Sequence, residues 1–421
     1  MAPNKIIIDT DPGVDDIMAM LLALSAQPEE LEVLMLSVTY GNVPLQSCLK
    51  NVVALFHVLE KEIEWRKSQG RPEGFASMRK NKPIVAVGPE HPLDDEELMA
   101  DYFHGLDGLH NVHDAHPHLS PADTWKALFD KTSDTAPEAD NFSPYFTPSR
   151  APSHKEILRI LKENPADTVS VLAVGPLTNV ALAAAEDPET FLKIKELVVM
   201  GGAVHVEGNC TPTAEFNCYA DAVAAARVYA LTSPNPSSTM PIIPAKGSTM
   251  PAYPEKLSRP LRLVLCPLDI TTPHGIDKKY FSESIKPYLE AGSPLAQWTS
   301  HFIMGAFGKI GGMGFDDSEL ELSLHDPLTV WYAMSCNDPA WKLTEPEDIR
   351  VETAGQWTRG MHVIDRRGRQ RKLQADVTAL EEIPGDDDGW LHAHKGNRIY
   401  RVVGSPGERI FKEVWLKRVF A

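Results

Sequence analysis

Asp9-Thr10-Asp11-Pro12-Gly13-Val14-Asp15-Asp16 places four carboxylates within eight residues. Lys5-Ile6-Ile7-Ile8 before it is a β-branched run that predicts a short buried strand, and Ile17-Met18-Ala19-Met20-Leu21-Leu22-Ala23-Leu24 after it predicts a helix. The acids therefore sit on a strand-to-helix turn, and in open parallel sheets ligands bind at that end of the strands. Asp9 and Asp11 alternate along the strand end and share a face, while Asp15 and Asp16 fall in the first helical turn, so the four can be drawn toward one point. Pro12 and Gly13 supply the bend. A helix dipole offers each acid about 0.3 to 1 kcal/mol. Two carboxylates ~4 Å apart repel by roughly 1 kcal/mol in water and about 4 kcal/mol at an effective dielectric of 20, so crowding outweighs the dipole. A bound cation resolves the conflict. Carboxylate oxygens favour calcium or magnesium over zinc, and a looser site with many oxygens favours calcium.

The rest of the composition bounds the answer. With 421 residues, 43% of them hydrophobic, the chain has material for one large α/β domain or two smaller ones. A net charge of −17 argues against nucleic acid and anionic membranes as partners. The N-terminus leads straight into a strand, so no secretory signal is expected, and no apolar run approaches the ~18 residues of a membrane span. Cys48, Cys210, Cys218, Cys266 and Cys336 are widely spaced and form no CxxC pair, which fits a reduced, cytoplasmic setting.

In chain order, Leu31 to Tyr40 predicts a second strand ending in Gly41-Asn42, followed by a helix from about Leu45 to Glu64. Asn42 thus falls at a strand's carboxyl end, as a turn residue or a ligand contact. Residues 65–82 read as a surface insertion and Ile84 to Gly88 as a third strand. His104 to His118 carries five histidines in fifteen residues; no cysteine lies nearby and the spacing fits no structural zinc pattern, so a loop with one or two histidines facing a ligand is the better reading. Residues 119–150 are too polar for core by composition and predict a lid or insertion. Ser153-His154-Lys155-Glu156 reads as a capping box, Val169 to Val174 as a strand, and Gly175-Pro176-Leu177-Thr178-Asn179 as the turn into an alanine-rich helix.

Ile194 to Met200 predicts another strand, running into Gly201-Gly202. Beyond it, Glu207 to Asn217 is dense in amides, with Asn209, Glu215 and Asn217 offering the donors and acceptors that hydroxyl groups need. A helix is expected over 219–231, an extended connector over 232–260, which holds seven prolines, and a strand over Leu261 to Leu268. Trp298, Phe302 and Phe307 on a helix from Pro294 have the spacing of core residues rather than base-stacking ones, and Gly311-Gly312-Met313-Gly314 reads as a flexible hinge. His325-Asp326-Pro327 opens a helix, either as a plain cap or as a proton donor beside one more metal ligand. From about residue 345 strands and turns are expected, with Arg366 to Lys372 a solvated hairpin tip and Asp386-Asp387-Asp388-Gly389 a turn.

The ordered set Asp9 to Asp16, Tyr40-Gly41-Asn42, Gly175 to Asn179, Met200-Gly201-Gly202, Gly208-Asn209 to Asn217 and His325-Asp326-Pro327 resembles the inosine-uridine preferring nucleoside hydrolases. The resemblance spans most of residues 5–335. It implies a mostly parallel Rossmann-like α/β sheet flanked by helices with its site at the carboxyl ends of the strands, forming one domain over residues 1–421 with insertions at about 65–82, 111–150 and 232–260. It implies Ca2+ held by Asp11, Asp16, Asp326 and the Val174 carbonyl, with Asp11 also taking the proton from the attacking water. Asp15 and Asn42 would hold the ribose diol, Met200, Asn209, Glu215 and Asn217 would line the rest of the substrate site, His104 and His325 would face the base, His325 would supply a proton, and Asp9 would stand behind the ligands. The implied reaction is hydrolysis of a ribonucleoside to ribose and free base, by a homodimer or homotetramer. Two rivals remain at this point: a haloacid dehalogenase-type phosphatase with Asp9 as nucleophile and magnesium bound, and a catalytically silent sugar- or metal-binding protein of the same fold.

Overall fold

Ile6, Ile7 and Ile8 are all wholly buried, which requires the first strand to be covered on both faces. Ile7 packs among Ile157, Val171 and Leu197 on one side, while Ile6 and Ile8 join Ile17, Leu21 and Phe56 on the other. The computed structural model describes residues 3–93, 103–130, 143–241, 250–314, 320–368 and 383–421. The strands are β1 (Asn4–Thr10), β2 (Leu31–Val38), β3 (Ile84–Val87), β4 (Thr147–Pro152), β5 (Val169–Ala173), β6 (Glu196–Met200), β7 (Leu263–Cys266), β8 (Gly275–Asp277), β9 (Glu321–Ser323), β10 (Lys342–Leu343), β11 (Arg350–Val351), β12 (His362–Val363) and β13 (Ile399–Gly404). Nine of them form one sheet in the order β10-β13-β7-β6-β5-β1-β2-β3-β4. Every neighbouring pair is parallel except β10 with β13.

The order fixes where a ligand goes. The chain runs from β1 outward through β2, β3 and β4, then returns to the other flank of β1 and runs outward again through β5, β6 and β7. The strand order therefore reverses between β1 and β5, and the crevice at their carboxyl ends is the switch point at which open α/β sheets bind ligands. Asp11 follows β1 and Val174 follows β5, so both stand at that crevice.

Several expectations change. Within 119–150, of which 131–142 lie outside the described residues, Leu119, Trp125, Leu128 and Phe146 are buried in the core; the polar residues around them mask this in the composition. Ser153 and Glu156 form no capping box: Ser153 Oγ donates to Asn179 Oδ1 (2.6 Å) and Glu156 accepts from Ser149 and Arg159. The helix Leu45–Ser68 overruns its expected end, and Pro294–Gly312 continues helically through the expected hinge at Gly311-Gly312. The proline-rich stretch holds a short 3-10 turn at Pro236–Ser238, with 242–249 outside the described residues, as are 369–372 of the expected hairpin tip.

The C-terminal part is not only strands and turns. β13 inserts beside β7, and the helix Glu408–Phe420 lies against the first helix, Val14–Leu24. Trp415 Nε1 donates to Met18 O (2.9 Å), Arg66 Nη2 to Val419 O (2.8 Å), and Arg418 grips Glu30 with both terminal nitrogens.

Candidate active site

Asp16 is the best-anchored acid of the cluster. Its Oδ1 accepts from Thr10 Oγ1 (2.6 Å) and Asp11 N (3.1 Å), and its Oδ2 from Gly13 N (3.0 Å) and Asn42 Nδ2 (2.9 Å). Asp11 differs: Oδ2 accepts from Asn42 N (2.7 Å), while Oδ1 is buried with no hydrogen-bond partner. A side chain on Gly175 would place its Cβ 2.6 Å from Asp11 Oδ1, so the backbone after β5 closes directly on that oxygen. A Cβ on Gly41, which adopts φ +156°, would fall closer still to Asp11 Oδ2, and both positions require the absence of a side chain.

Asp326, carried by the helix His325–Ser335, reaches the cluster from the far end of the chain. One oxygen from each of Asp15, Asp16 and Asp326 lies within 4.8 Å of the others. Burial and the neighbouring acids push these groups up: Asp11 and Asp326 stand well above the ordinary carboxylate range, and Asp15, hydrogen-bonded to Asp326, reaches about 7. Behind them Asp9, raised to about 7 by burial, accepts from Ser37 Oγ (2.5 Å) and Asn179 Nδ2 (2.8 Å) through Oδ1.

The arrangement is strained without a cation. Carboxylates this close repel strongly, Asp11 Oδ1 and Asp9 Oδ2 are buried without a donor, and the ligand set on offer is entirely oxygen. These residues fit a hard divalent ion of the calcium or magnesium type. Of the acids expected to hold it, Asp16 and Asp326 gather with Asp15, and Asp11 adjoins them, its N–H donating to Asp16 Oδ1 (3.1 Å).

The model of the family described as inosine-uridine preferring nucleoside hydrolase matches residues 6–387. The chain belongs to this family. A pyrimidine-specific ribonucleoside hydrolase, RihA of Klebsiella pneumoniae strain 342, is 29% identical over 363 residues, covering 85% of this chain and 88% of the relative. An uncharacterized protein of Schizosaccharomyces pombe is 27% identical and covers 91% and 96% of the two chains. Among solved structures, a plant nucleoside hydrolase superposes with a TM-score of 0.63 at 22% identity over 100% of this chain and 99% of its own. An inosine-guanosine nucleoside hydrolase gives 0.65 at 20% identity over 99% and 98%.

Other residues of this nucleoside hydrolase converge on the same crevice. Glu215 is buried; its Oε2 accepts from Gly202 N (2.8 Å) and Cys218 N (3.1 Å), and its Oε1 from Asn217 N (2.7 Å). Its charge also acts on Asp326. Asn217 Nδ2 donates to the Val174 carbonyl (2.8 Å) and approaches Met200 Sδ (3.6 Å), tying the ends of β5 and β6 together. Asn209 stands apart: it is exposed, and its Oδ1 accepts from Phe216 N (2.9 Å).

His104 is buried, His325 is half-buried, and both are neutral at pH 7. Burial lowers His104 to about 3, with His110 and His325 adding to the effect, and lowers His325 to about 4. His104 Nδ1 accepts from Val14 N (3.0 Å), so its other ring nitrogen carries the proton; His325 Nδ1 pairs with Thr271 Oγ1 (2.7 Å). Sequence reasoning missed the supports Thr10, Ser37 and Thr271. Asn179 was visible only as part of a turn, and its link to Asp9 spans 170 residues of sequence.

Proposed function

We propose that the chain hydrolyses the N-ribosidic bond of ribonucleosides to ribose and free base in a calcium-dependent reaction, as part of nucleoside salvage in the cytoplasm and as a homodimer or homotetramer. The observation that carries the reading is the gathering of Asp15, Asp16 and Asp326 beside an Asp11 oxygen with no partner. Asp11, Asp16, Asp326 and the Val174 carbonyl would hold the ion. When bound, a divalent cation lowers the pKa of a water and offsets the acids' mutual repulsion. Asp11, held by Asn42 through one oxygen, keeps the other free to take the proton from the attacking water.

Asp15 and Asn42 would grip the ribose diol, and Glu215 and Asn217, with Met200 and Asn209, the remainder of the sugar. Cleavage builds positive charge on the ribosyl ring, which the ring of carboxylates stabilises where it develops. His104 and His325 would face the base. Negative charge developing on the departing base raises the proton affinity of the adjacent His325, and Thr271 holds that ring in place.

The test is incubation with uridine, inosine and a phosphate monoester, with and without a calcium chelator. Release of ribose that chelation abolishes supports the proposal; phosphate release, or no turnover of any of them, overturns it.

A further inference from the structure

A second cavity lies away from the acidic crevice, between the carboxyl ends of β3 and β4 and the segment 125–130 that sequence reading assigned to an insertion. Its volume is about 570 Å³, within the range of small-molecule sites. Leu49, Val87, Trp125 and Phe129 give it an apolar wall. Lys126 and Arg150 line it too, against the single carboxylate of Asp130.

Two donors in this wall are unused. Arg150 Nη2 and Trp125 Nε1 are buried without any hydrogen-bond partner. Both atoms are sealed beneath the wall, so the charged groups a ligand would meet are the rest of the half-buried Arg150 side chain and the exposed Lys126. A guanidinium presents a fork suited to phosphate or carboxylate oxygens, and Lys126 adds a second cation at the mouth. In a chain of net charge −17, a cavity with this balance stands out as selective for anions.

We propose that this cavity binds a small phosphate monoester with an apolar or aromatic body, the phosphate on Arg150 and Lys126 and the body against Leu49, Val87 and Phe129. A lone inorganic anion would leave the apolar wall uncovered, and an uncharged nucleoside would leave the cations unanswered. The site is independent of the reaction proposed above.

Calorimetric titration of the intact protein with phenyl phosphate, uridine 5′-monophosphate, inorganic phosphate and uridine tests this. A monoester is expected to bind with a Kd below about 1 mM, at least tenfold tighter than inorganic phosphate. Arg150→Gln and the exposed Lys126→Gln should each weaken it about tenfold without changing ribose release, while Asp11→Ala should leave it unchanged. Lys126→Gln keeps the test decisive should Arg150→Gln fail to fold. The proposal is overturned by absence of saturable monoester binding, by binding unaffected in Lys126→Gln, or by binding lost in Asp11→Ala, which would place the ligand in the acidic crevice instead.

Discussion

Asp11 concentrates the chemistry in one side chain because its two oxygens are treated differently: one is held by Asn42 N and one is left without a partner. Asp11→Ala removes the water's proton acceptor and one ligand together while deleting a buried, repelled charge, so the fold should persist. Turnover should fall below a tenth of wild type, at least about 1.4 kcal/mol of barrier; a variant retaining more than that contradicts the role. Gly175→Ala asks a geometric question of the same oxygen. Its Cβ would sit 2.6 Å from Asp11 Oδ1, so the carboxylate must shift. Steady-state kinetics should show kcat/KM down about tenfold or more, because catalytic groups tolerate little displacement. The clusters Asp9 to Asp16 and His325-Asp326 were legible as residues because acids that crowd a βα turn are costly. Ser37, Thr10 and Thr271 were not, since a serine or threonine in a strand or helix has many ordinary uses and only the fold shows which carboxylate or ring it meets.

Among elements, the C-terminal helix Glu408–Phe420 supports the site from behind. Trp415 is fully buried and bonds Met18 O on the helix whose first turn holds Asp15 and Asp16. Trp415→Ala should cost about 3 to 5 kcal/mol of stability. A denaturant titration would register this as a lower midpoint, whereas kcat per folded molecule should stay near wild type. The helix was readable in principle: Phe411, Trp415 and Val419 recur every four residues. β13 was not, because a six-residue strand gains its identity from the β7 edge it joins. The capping box at Ser153 failed for a related reason: Asn179, distant in sequence, offers Ser153 a buried partner that competes with the local cap.

At the scale of the whole molecule, two sets of buried groups work against each other with pH. Burial raises Asp9 and Asp15 to about 7 and, with neighbouring acids, Asp11 and Asp326 well above the ordinary carboxylate value of 3.8. Their raised folded pKa values mean stability present at low pH and lost as pH rises through about 7 and beyond. His113, held between Asn51 and Ser120 with Lys50, Asp107 and Asp114 around it, and His362, against Tyr229 and Asp269, are both lowered to about 4, chiefly by burial. They contribute the opposite slope, stability lost as pH falls from about 6.5 to about 4. The two slopes offset each other in the acid range, and above it only the acids act. Thermal melts of the chelated protein should therefore show a lower Tm at pH 8 than at pH 6. Calcium should remove that difference and add about 2.7 kcal/mol at a hundredfold excess over its Kd; an identical pH response with and without calcium would contradict the metal site.

The sequence by itself determined the parallel α/β character, the acidic turn after β1 and the family, because strand and helix periodicity and a motif of crowded charges are properties of neighbours in the chain. The tertiary structure alone decided that β5 returns to flank β1, which brings the backbone at Gly175 onto Asp11, and that Asp326 joins Asp15 and Asp16. It alone decided which carboxylate oxygens are left unpaired and which residues of an apparently polar insertion are core. Pairing, desolvation and close approach between residues hundreds of positions apart are set by packing, and no local pattern encodes them.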